Sequence, residues 1–147
     1  MRQKKARARS LCHCINLRRA STALTEYYDQ LLRPGGLTVN QYSLLKNLHR
    51  LGVCSLSELA QSVGLERTTL VRNMKPLFKK GLVADISPQG SRNRQIQVTA
   101  AGRQALDLCA PLWEKAQQGV EQRIGFANII LLMQLLAEIE GIEIFSV

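Results

Sequence analysis

Residues 55–83 read SLSELAQSVGLERTTLVRNMKPLFKKGLV, and this stretch carries the signals of two short helices joined by a tight turn. Ser55 is a favoured N-cap, and Glu58 follows at the three-residue spacing of a capping box. Gly64 permits the left-handed backbone conformation that ends a helix. We expect a second helix to begin near residues 66–67. The stretch therefore predicts a helix-turn-helix.

The second of these helices has two faces of different character. Its inward face carries apolar residues at helical spacing, namely Leu70, Met74 and Leu77. Its outward face is basic and hydroxylic, and such side chains can donate hydrogen bonds to phosphates and base edges. The outward residues are Arg67, Thr68, Arg72 and Lys75. We interpret this face as DNA-binding, and the alternative is a solvated helix surface.

The formal net charge of +9 is distributed unevenly along the 147 residues. Residues 1–37 carry 8 basic and 2 acidic side chains, and residues 38–94 carry 9 and 3. Residues 95–147 carry 3 basic and 6 acidic side chains. A chain that is basic around its helix-turn-helix suits a polyanionic partner, although charge alone does not exclude a merely soluble basic protein.

The cysteines and the hydropathy pattern indicate a cytoplasmic, reduced protein with no membrane contact. Four cysteines are too few and too scattered for a secreted disulfide scaffold. The basic N-terminus is not followed by the apolar core of a signal peptide. The most apolar run, residues 124–137, is about 14 residues long and too short to span a bilayer.

Helices are predicted on both sides of residues 55–83. One is expected from Ser10 until Pro34 and the two following glycines, and another from a Thr38–Gln41 capping box to near Gly52. A long helix capped by Thr99 should reach about residue 123, and a last one should cover about residues 127–140. The first helix carries a seam that suits packing against a partner helix. The seam residues are Cys14, Leu17, Ser21, Leu24, Tyr28 and Leu31.

A β-hairpin is predicted between the helix-turn-helix and the long helix. Residues 82–86 and 95–99 favour strands, because the first is rich in apolar residues and the second alternates polar with apolar. The polar loop between them carries Arg92 and Arg94 near its tip. An arginine at the tip of a hairpin can enter a narrow minor groove, so we interpret this hairpin as a wing.

The order of these elements resembles the MarR family of bacterial winged-helix regulators, over residues 11–139. Four stretches carry the resemblance: GLTVNQYSLL (36–45), LAQSVGLERTTLVRNMKPLFKKGLV (59–83), VTAAG (98–102) and APLWEKAQ (110–117). The resemblance implies a mainly α fold with a small β-hairpin wing, assembled as a homodimer through intertwined N- and C-terminal helices.

We expect the chain to divide into four parts. Residues 1–9 hold five Lys/Arg and almost nothing apolar, so by their composition we expect a mobile basic arm there. The resemblance implies the other three, of which an N-terminal dimerisation helix covers residues 10–37. A winged helix-turn-helix lobe covers residues 38–99, and C-terminal dimerisation helices cover residues 100–147. Trp113 and residues 129–136 are expected in the dimer core.

By the same resemblance, the second helix of the helix-turn-helix enters the major groove and the wing reaches the minor groove. Double-stranded DNA would then contact Arg67, Thr68, Thr69, Arg72 and Lys75 from the helix, with Arg92 and Arg94 from the wing. The family often has Asp two residues before the wing arginine, whereas this sequence has Gly90. We therefore expect a looser wing and an altered specificity, since an exposed ion pair contributes only about 0–1 kcal/mol.

A branch of the family senses organic hydroperoxide or hypochlorite through a cysteine on its first helix, near tyrosines from both subunits. Cys14 falls on that position and Tyr28 on one of the associated tyrosine positions, but Val39 replaces a second tyrosine. On one helix, Cys12 and Cys14 would point about 200° apart, which disfavours a disulfide between them. The alternative is a cysteine buried as a small apolar residue, which is how we interpret Cys54 and Cys109 as well.

The resulting hypothesis is a DNA-binding repressor released by a small aromatic molecule or by an oxidant. We expect no cofactor. Metal binding through Cys12, His13 and Cys14 is not expected either, since only two histidines occur in the chain and adjacent side chains on a helix diverge. Two alternatives belong to other classes. One is a protein that coats DNA without regard to sequence, and the other is a thiol enzyme, such as a small peroxidase, that uses Cys14.

Overall fold

The computed structural model describes residues 8–142, which fold into six α-helices, a short 3₁₀ turn and three strands. The helices are α1 (His13–Leu32), α2 (Val39–Leu51), α3 (Leu56–Val63), α4 (Arg67–Lys79), α5 (Ala100–Ile124) and α6 (Phe126–Glu140), with the 3₁₀ turn at Arg33–Gly35. The strands are β1 (Cys54–Ser55), β2 (Val83–Asp85) and β3 (Gln95–Val98). The mainly α fold with a β-hairpin is thereby confirmed.

Two predicted segments extend beyond the described residues. The basic arm expected over residues 1–9 lies outside them, apart from Ala8 and Arg9. The last five residues of the predicted C-terminal segment also lie outside them.

The first helix begins later than the sequence predicted, at His13 instead of Ser10. Local hydrogen bonds hold the preceding residues outside the helix. The backbone N–H of Cys12 donates to Ser10 Oγ at 3.2 Å, and the Asn16 side chain donates to Ser10 O at 2.7 Å. Asn16 Oδ1 also accepts from the N–H of Ser10 at 2.9 Å. Ser10 therefore closes a turn, and Cys12 is the N-cap of α1.

Both predicted capping boxes are confirmed. At α2, Thr38 Oγ1 accepts from the N–H of Gln41 and Gln41 Oε1 accepts from the N–H of Thr38, each at 3.2 Å. At α3, Ser55 Oγ accepts from the N–H of Glu58 at 3.2 Å, and Glu58 Oε2 accepts from the N–H of Ser55 at 2.7 Å. Each box satisfies two backbone donors that the helix itself leaves unpaired.

The sheet has three strands, whereas the sequence predicted two. Their order is β1-β3-β2, and all neighbours are antiparallel, with Cys54 opposite Ile96 and Val83 opposite Val98. The added strand, β1, is only two residues long and ends at Ser55, the N-cap of α3, so it offers no alternating pattern to recognise. The strands predicted over residues 82–86 and 95–99 are each shorter than expected.

The hydrophobic core lies beneath the sheet, between the helix-turn-helix and the helices α2 and α5. Its largest fully buried side chains are Leu32, Leu45, Leu48, Leu59, Leu70, Met74, Leu77, Ile96 and Cys109. Members from α1 and α5 pack with members from the helix-turn-helix, so one continuous core supports both regions. The orientation of α4 is therefore determined by burial against the rest of the fold.

The C-terminal helices extend away from this core. Helix α5 continues through Pro111, and α6 follows after Gly125 at an angle of 101°. Within residues 8–142, no single helix is long and apolar enough to cross a membrane, and only the bent α5–α6 pair together passes that test of length and composition. Trp113, which we expected in the dimer core, packs on Tyr42 of its own chain with a ring-centroid distance of 6.2 Å.

Candidate nucleic-acid interface

Helix α4 separates its buried and exposed faces cleanly. Leu70, Met74 and Leu77 have no solvent exposure, because they pack into the core at the expected helical spacing. The opposite face turns four of the five predicted DNA-contact residues outward, and the fifth, Thr69, is half-buried. The exposed four are Arg67, Thr68, Arg72 and Lys75.

The turn before α4 brings its N-terminus to the surface. Gly64 has φ +65°, and its N–H donates to carbonyls in the last turn of α3. A residue with a Cβ would be strained in this left-handed conformation. The first N–H groups of α4 have no side-chain cap, since the N-cap residue Glu66 makes no capping hydrogen bond. Unpaired N–H groups at a helix N-terminus favour an anion.

The wing (residues 83–98) holds its two arginines differently. Arg94 Nε lies 3.6 Å from Asp85 Oδ2, so this residue is tethered to the base of the wing. Within residues 8–142, the exposed side chain of Arg92 makes no hydrogen bond or ion pair. The structure therefore presents Arg92 freely at the loop and Arg94 as part of the wing's own framework.

A hydrogen-bonded cluster at Asp85 stabilises the base of the wing. Asp85 Oδ1 accepts from Ser87 Oγ at 2.6 Å and from the N–H of Ser87 at 2.9 Å, while Ser87 Oγ accepts from the N–H of Gln95 at 2.6 Å. The side-chain and backbone hydrogen bonds from Ser87 lower the pKa of Asp85, and Arg94 lowers it further. Gly90 lacks the carboxylate common in the family, and Asp85 supplies one at another position.

Helix α4, the predicted recognition helix, and the wing meet at a small cavity of about 220 Å³. Its walls include Val71 and Phe78 from α4 and Ile96 from β3, with Lys75 and Arg94 beside them. Lys75 and Arg94, predicted from separate parts of the sequence, are thus brought to one edge of the interface. The arrangement places cations from both elements on the same side of the molecule.

The predicted redox residues are not brought together within one chain. Cys14 is exposed in the first turn of α1, and Tyr28 lies 14 residues later on the same helix, which corresponds to about 21 Å along the axis. Tyr28 is buried and its hydroxyl hydrogen-bonds Gln117 of α5. Burial, followed by the influence of Tyr27 and Glu121, raises the pKa of Tyr28. A Cys14–Tyr28 contact would therefore require a second copy of the chain.

Cys12 departs from the geometry assumed for it. We expected Cys12 and Cys14 on one helix, pointing about 200° apart, but Cys12 precedes α1 with an extended backbone at φ −85° and ψ 118°. The helical argument against a bond between these two exposed cysteines therefore does not apply. Cys54 and Cys109 are buried packing residues as predicted, and burial raises the pKa of both thiols.

The sequence did not identify two residues whose side chains join separate parts of the lobe. Asp85 joins the two ends of the wing, and Lys80 hydrogen-bonds Gly36 and Gln41. A local signal existed for the first, because an Asp side chain can hydrogen-bond the backbone two residues further on, as Asp85 does with the N–H of Ser87. No local signal existed for Lys80, whose partners lie 39 and 44 residues away. Among residues 8–142, no group of three or more His, Cys, Asp or Glu side chains could hold a metal ion.

A helix-turn-helix with an exposed basic second helix, flanked by an arginine-bearing hairpin, defines a winged-helix protein of the DNA-binding class. The MarR family model matches residues 37–88 of this chain. The uncharacterized HTH-type transcriptional regulator YhbI of Bacillus subtilis (strain 168) is 30% identical over 106 residues, which span 71% of this chain and 69% of that protein. The chain belongs to the MarR family of transcriptional regulators.

Two further comparisons extend the similarity to nearly the whole chain. The HTH-type transcriptional regulator FarR of Neisseria gonorrhoeae is 25% identical over 130 residues, covering 88% of this chain and 89% of that protein. The crystal structure of the M. tuberculosis transcriptional regulator MosR in complex with DNA is similar at 37% identity and a TM-score of 0.72. That similarity covers 89% of this chain and 99% of the MosR chain.

Proposed function

We propose that this protein is a homodimeric repressor that binds a pseudo-palindromic operator and is released by an oxidant or a small aromatic molecule. The observation that carries the DNA-binding part is the exposed basic face of α4, opposite three fully buried core residues. With this face in the major groove, Arg67, Thr68, Thr69, Arg72 and Lys75 reach bases or phosphates. Arg92 reaches the minor groove, with Arg94 at the base of the wing.

A homodimer supplies the second recognition helix that a two-part operator needs. The apolar side chains of α6 support this assembly, since within residues 8–142 none of its side chains is buried. The DNA complex of MosR supports the docking mode, because the same fold at 37% identity is there bound to DNA. The two recognition helices must then match successive major grooves about 34 Å apart.

Release by an oxidant would act through Cys14. Its thiol is exposed near the start of α1, and a second copy of the chain would have to bring Tyr28 near it. Attack of the thiolate on an organic hydroperoxide would break the O–O bond, leaving a sulfenic acid on Cys14 and, after protonation, the alcohol. The change in α1 packing would alter the spacing between the two recognition helices and weaken one half-site.

Fluorescence anisotropy tests this function with the DNA directly upstream of the protein's own gene and a scrambled duplex. We expect tight binding of one dimer to the first duplex, preferred by about 10³-fold or more over the second. Equal affinity for both duplexes would instead support a protein that coats DNA. A stoichiometric pulse of organic hydroperoxide is then added to the parent, Cys14→Ser and Cys12→Ser proteins.

The redox part has its own decisive outcomes. Loss of binding in the parent and in Cys12→Ser, but not in Cys14→Ser, would establish Cys14 as the sensor. Binding that survives oxidation in all three proteins would remove the thiol switch and leave small aromatic molecules as the effector class.

A further inference from the structure

The residue that follows the recognition helix reaches back to the N-terminal part of the chain. Lys80 is the C-cap of α4, and its backbone N–H donates to Pro76 O at 3.0 Å. Its side-chain Nζ donates to Gly36 O at 2.8 Å and to Gln41 Oε1 at 3.3 Å. One ammonium group therefore joins the end of α4 to the corner (residues 33–41) at which the chain passes from α1 to α2.

The same corner is held from two other directions. Asp29 of α1 accepts a hydrogen bond from the N–H of Val39 at 2.7 Å, which ties the end of α1 to the start of α2. On the far side, Gly35 packs so closely on Cys109 of α5 that an added Cβ would collide with its Sγ. The corner is thus a fixed junction between α1, α2 and α5. Core packing joins α4 to it, and Lys80 adds a hydrogen-bonded contact from the C-terminal end of α4.

We infer that Lys80 is a positioning residue for operator binding: its ammonium couples the recognition helix to the α1–α2 corner and so sets the spacing between the two recognition helices. This inference rests on the proposed dimeric regulator, since spacing matters only when two helices bind one duplex. With α1 in the dimer interface, the angle between α1 and the winged lobe determines where α4 lies relative to its partner.

Two simpler roles make different predictions. A lysine at a helix C-terminus interacts favourably with the helix dipole, which would affect stability alone. A lysine that contacts a phosphate would contribute to the salt dependence of binding, at a slope of about 0.9 for each contact. A positioning residue should leave that slope unchanged and alter the tolerance for half-site spacing.

The test uses Lys80→Met, which keeps the aliphatic stem and removes the ammonium. The matched control is Lys79→Met, because Lys79 is exposed beside it and, among residues 8–142, makes no side-chain hydrogen bond or ion pair. Binding is measured on the operator duplex found in the upstream DNA, and on duplexes with one base pair inserted or removed between the half-sites. Each series is repeated at several salt concentrations.

We expect Lys80→Met to bind the correctly spaced operator about three- to tenfold more weakly, with an unchanged salt slope. Its preference for the correct spacing should fall by a similar factor, whereas Lys79→Met should keep the full preference. A salt slope reduced by about 0.9 would show a phosphate contact and overturn the inference. Unchanged spacing preference would overturn it as well, whatever the effect on thermal stability.

Two further measurements keep the inference testable if Lys80→Met folds poorly or if the operator proposal fails. Gln41→Glu preserves the capping box and places a carboxylate against the Lys80 ammonium. Made in the parent, it should increase the affinity ratio between correctly and wrongly spaced duplexes. Made in Lys80→Met, it should leave that ratio unchanged. Hydrogen exchange of the free protein should show faster exchange at the corner and at the end of α4 in Lys80→Met. Unchanged exchange at both segments would contradict the coupling even without DNA.

Discussion

Gly102 and Gly119, both in α5, differ in the atoms that an added Cβ would meet. A Cβ at Gly102 would collide with the backbone carbonyl oxygen of Leu82 and would lie 2.6 Å from Val98 Cγ1. A Cβ at Gly119 would meet the hydroxyl end of the Tyr27 side chain. A backbone carbonyl in a sheet junction cannot move freely, whereas the tip of an exposed tyrosine can rotate away.

We therefore predict that Gly102→Ala lowers the free energy of unfolding by about 1–3 kcal/mol, because the collision outweighs a gain of about 1 kcal/mol in helix propensity. Gly119→Ala, in the same helix, should be close to neutral or slightly stabilising. Urea denaturation followed by circular dichroism measures both. Equal effects of the two substitutions would show that the α5–sheet junction is less tightly packed than described.

At the scale of elements, the wing is organised by a carboxylate at its base. Asp85 connects Ser87, Arg94 and, through Ser87, the N–H of Gln95. These contacts lie at the ends of β2 and β3, so they close the hairpin at the point where the long loop begins. Arg92, at the loop tip, takes no part in these contacts and is available to DNA. The two wing arginines should therefore respond differently to substitution.

Arg92→Ala should weaken operator binding and reduce the salt slope by about 0.9, because Arg92 is free to approach DNA. Arg94→Ala should release Asp85 and increase hydrogen exchange in residues 86–94 before DNA is added. Anisotropy over a salt series and exchange mass spectrometry separate these effects. The assignment fails if Arg92→Ala alone loosens the free wing and Arg94→Ala leaves its exchange unaltered.

The stability of the wing should also depend on pH, because Asp85 is ionisable. Because the pKa of Asp85 is lowered in the folded protein, its carboxylate stabilises the wing above the ordinary pKa of an aspartate, and this contribution is lost as the pH falls through the lowered value. Relative to the intrinsic amide exchange rate at each pH, the parent wing should lose protection on acidification. Asp85→Asn should already show reduced protection at neutral pH and little further loss. Asp107→Asn, on the exposed surface of α5, serves as the control and should behave like the parent.

At the scale of the whole molecule, apolar surface is concentrated on the helices outside the winged lobe. In α6, Leu131 is 51% exposed and Met133 is 54% exposed, and Leu24 of α1 is 43% exposed. Exposed apolar area on this scale marks an association surface. The charges are divided in a similar way along the chain. The basic residues lie mainly before residue 95, and the residues from 95 onward carry a net negative charge.

We predict that Leu131→Glu converts the protein to a monomer, because it would place a charge in the proposed dimer interface. Operator affinity should fall by at least about tenfold, since one recognition helix then binds alone. Analytical ultracentrifugation and anisotropy measure the two effects, and Gln134→Glu controls for added charge on α6. A dimeric Leu131→Glu protein with full affinity would place the association surface elsewhere.

Much of the lobe could be predicted from residues close together in the chain. The Thr38–Gln41 and Ser55–Glu58 boxes, the turn at Gly64 and the inward face of α4 depend on contacts within one or two helical turns, which a local pattern can show. The start of α1 was wrong by three residues, because Ser10 and Asn16 form a turn that competes with the helix. Strand β1 was not predicted, because a strand of two residues is too short to show an alternation of polar and apolar side chains.

The amino-acid pattern alone therefore determined the class of fold and the basic outward face of α4, since helix caps, turn glycines and apolar periods are short-range properties. The family followed from the resemblance of four stretches of the sequence. Tertiary structure decided which side chains hold that face in place. Asp85 with Arg94, and Lys80 with Gly36 and Gln41, pair through folding that brings distant segments within hydrogen-bond distance. Tertiary structure likewise placed the hydroxyl of Tyr28 against Gln117 of α5, which is 89 residues away in the chain.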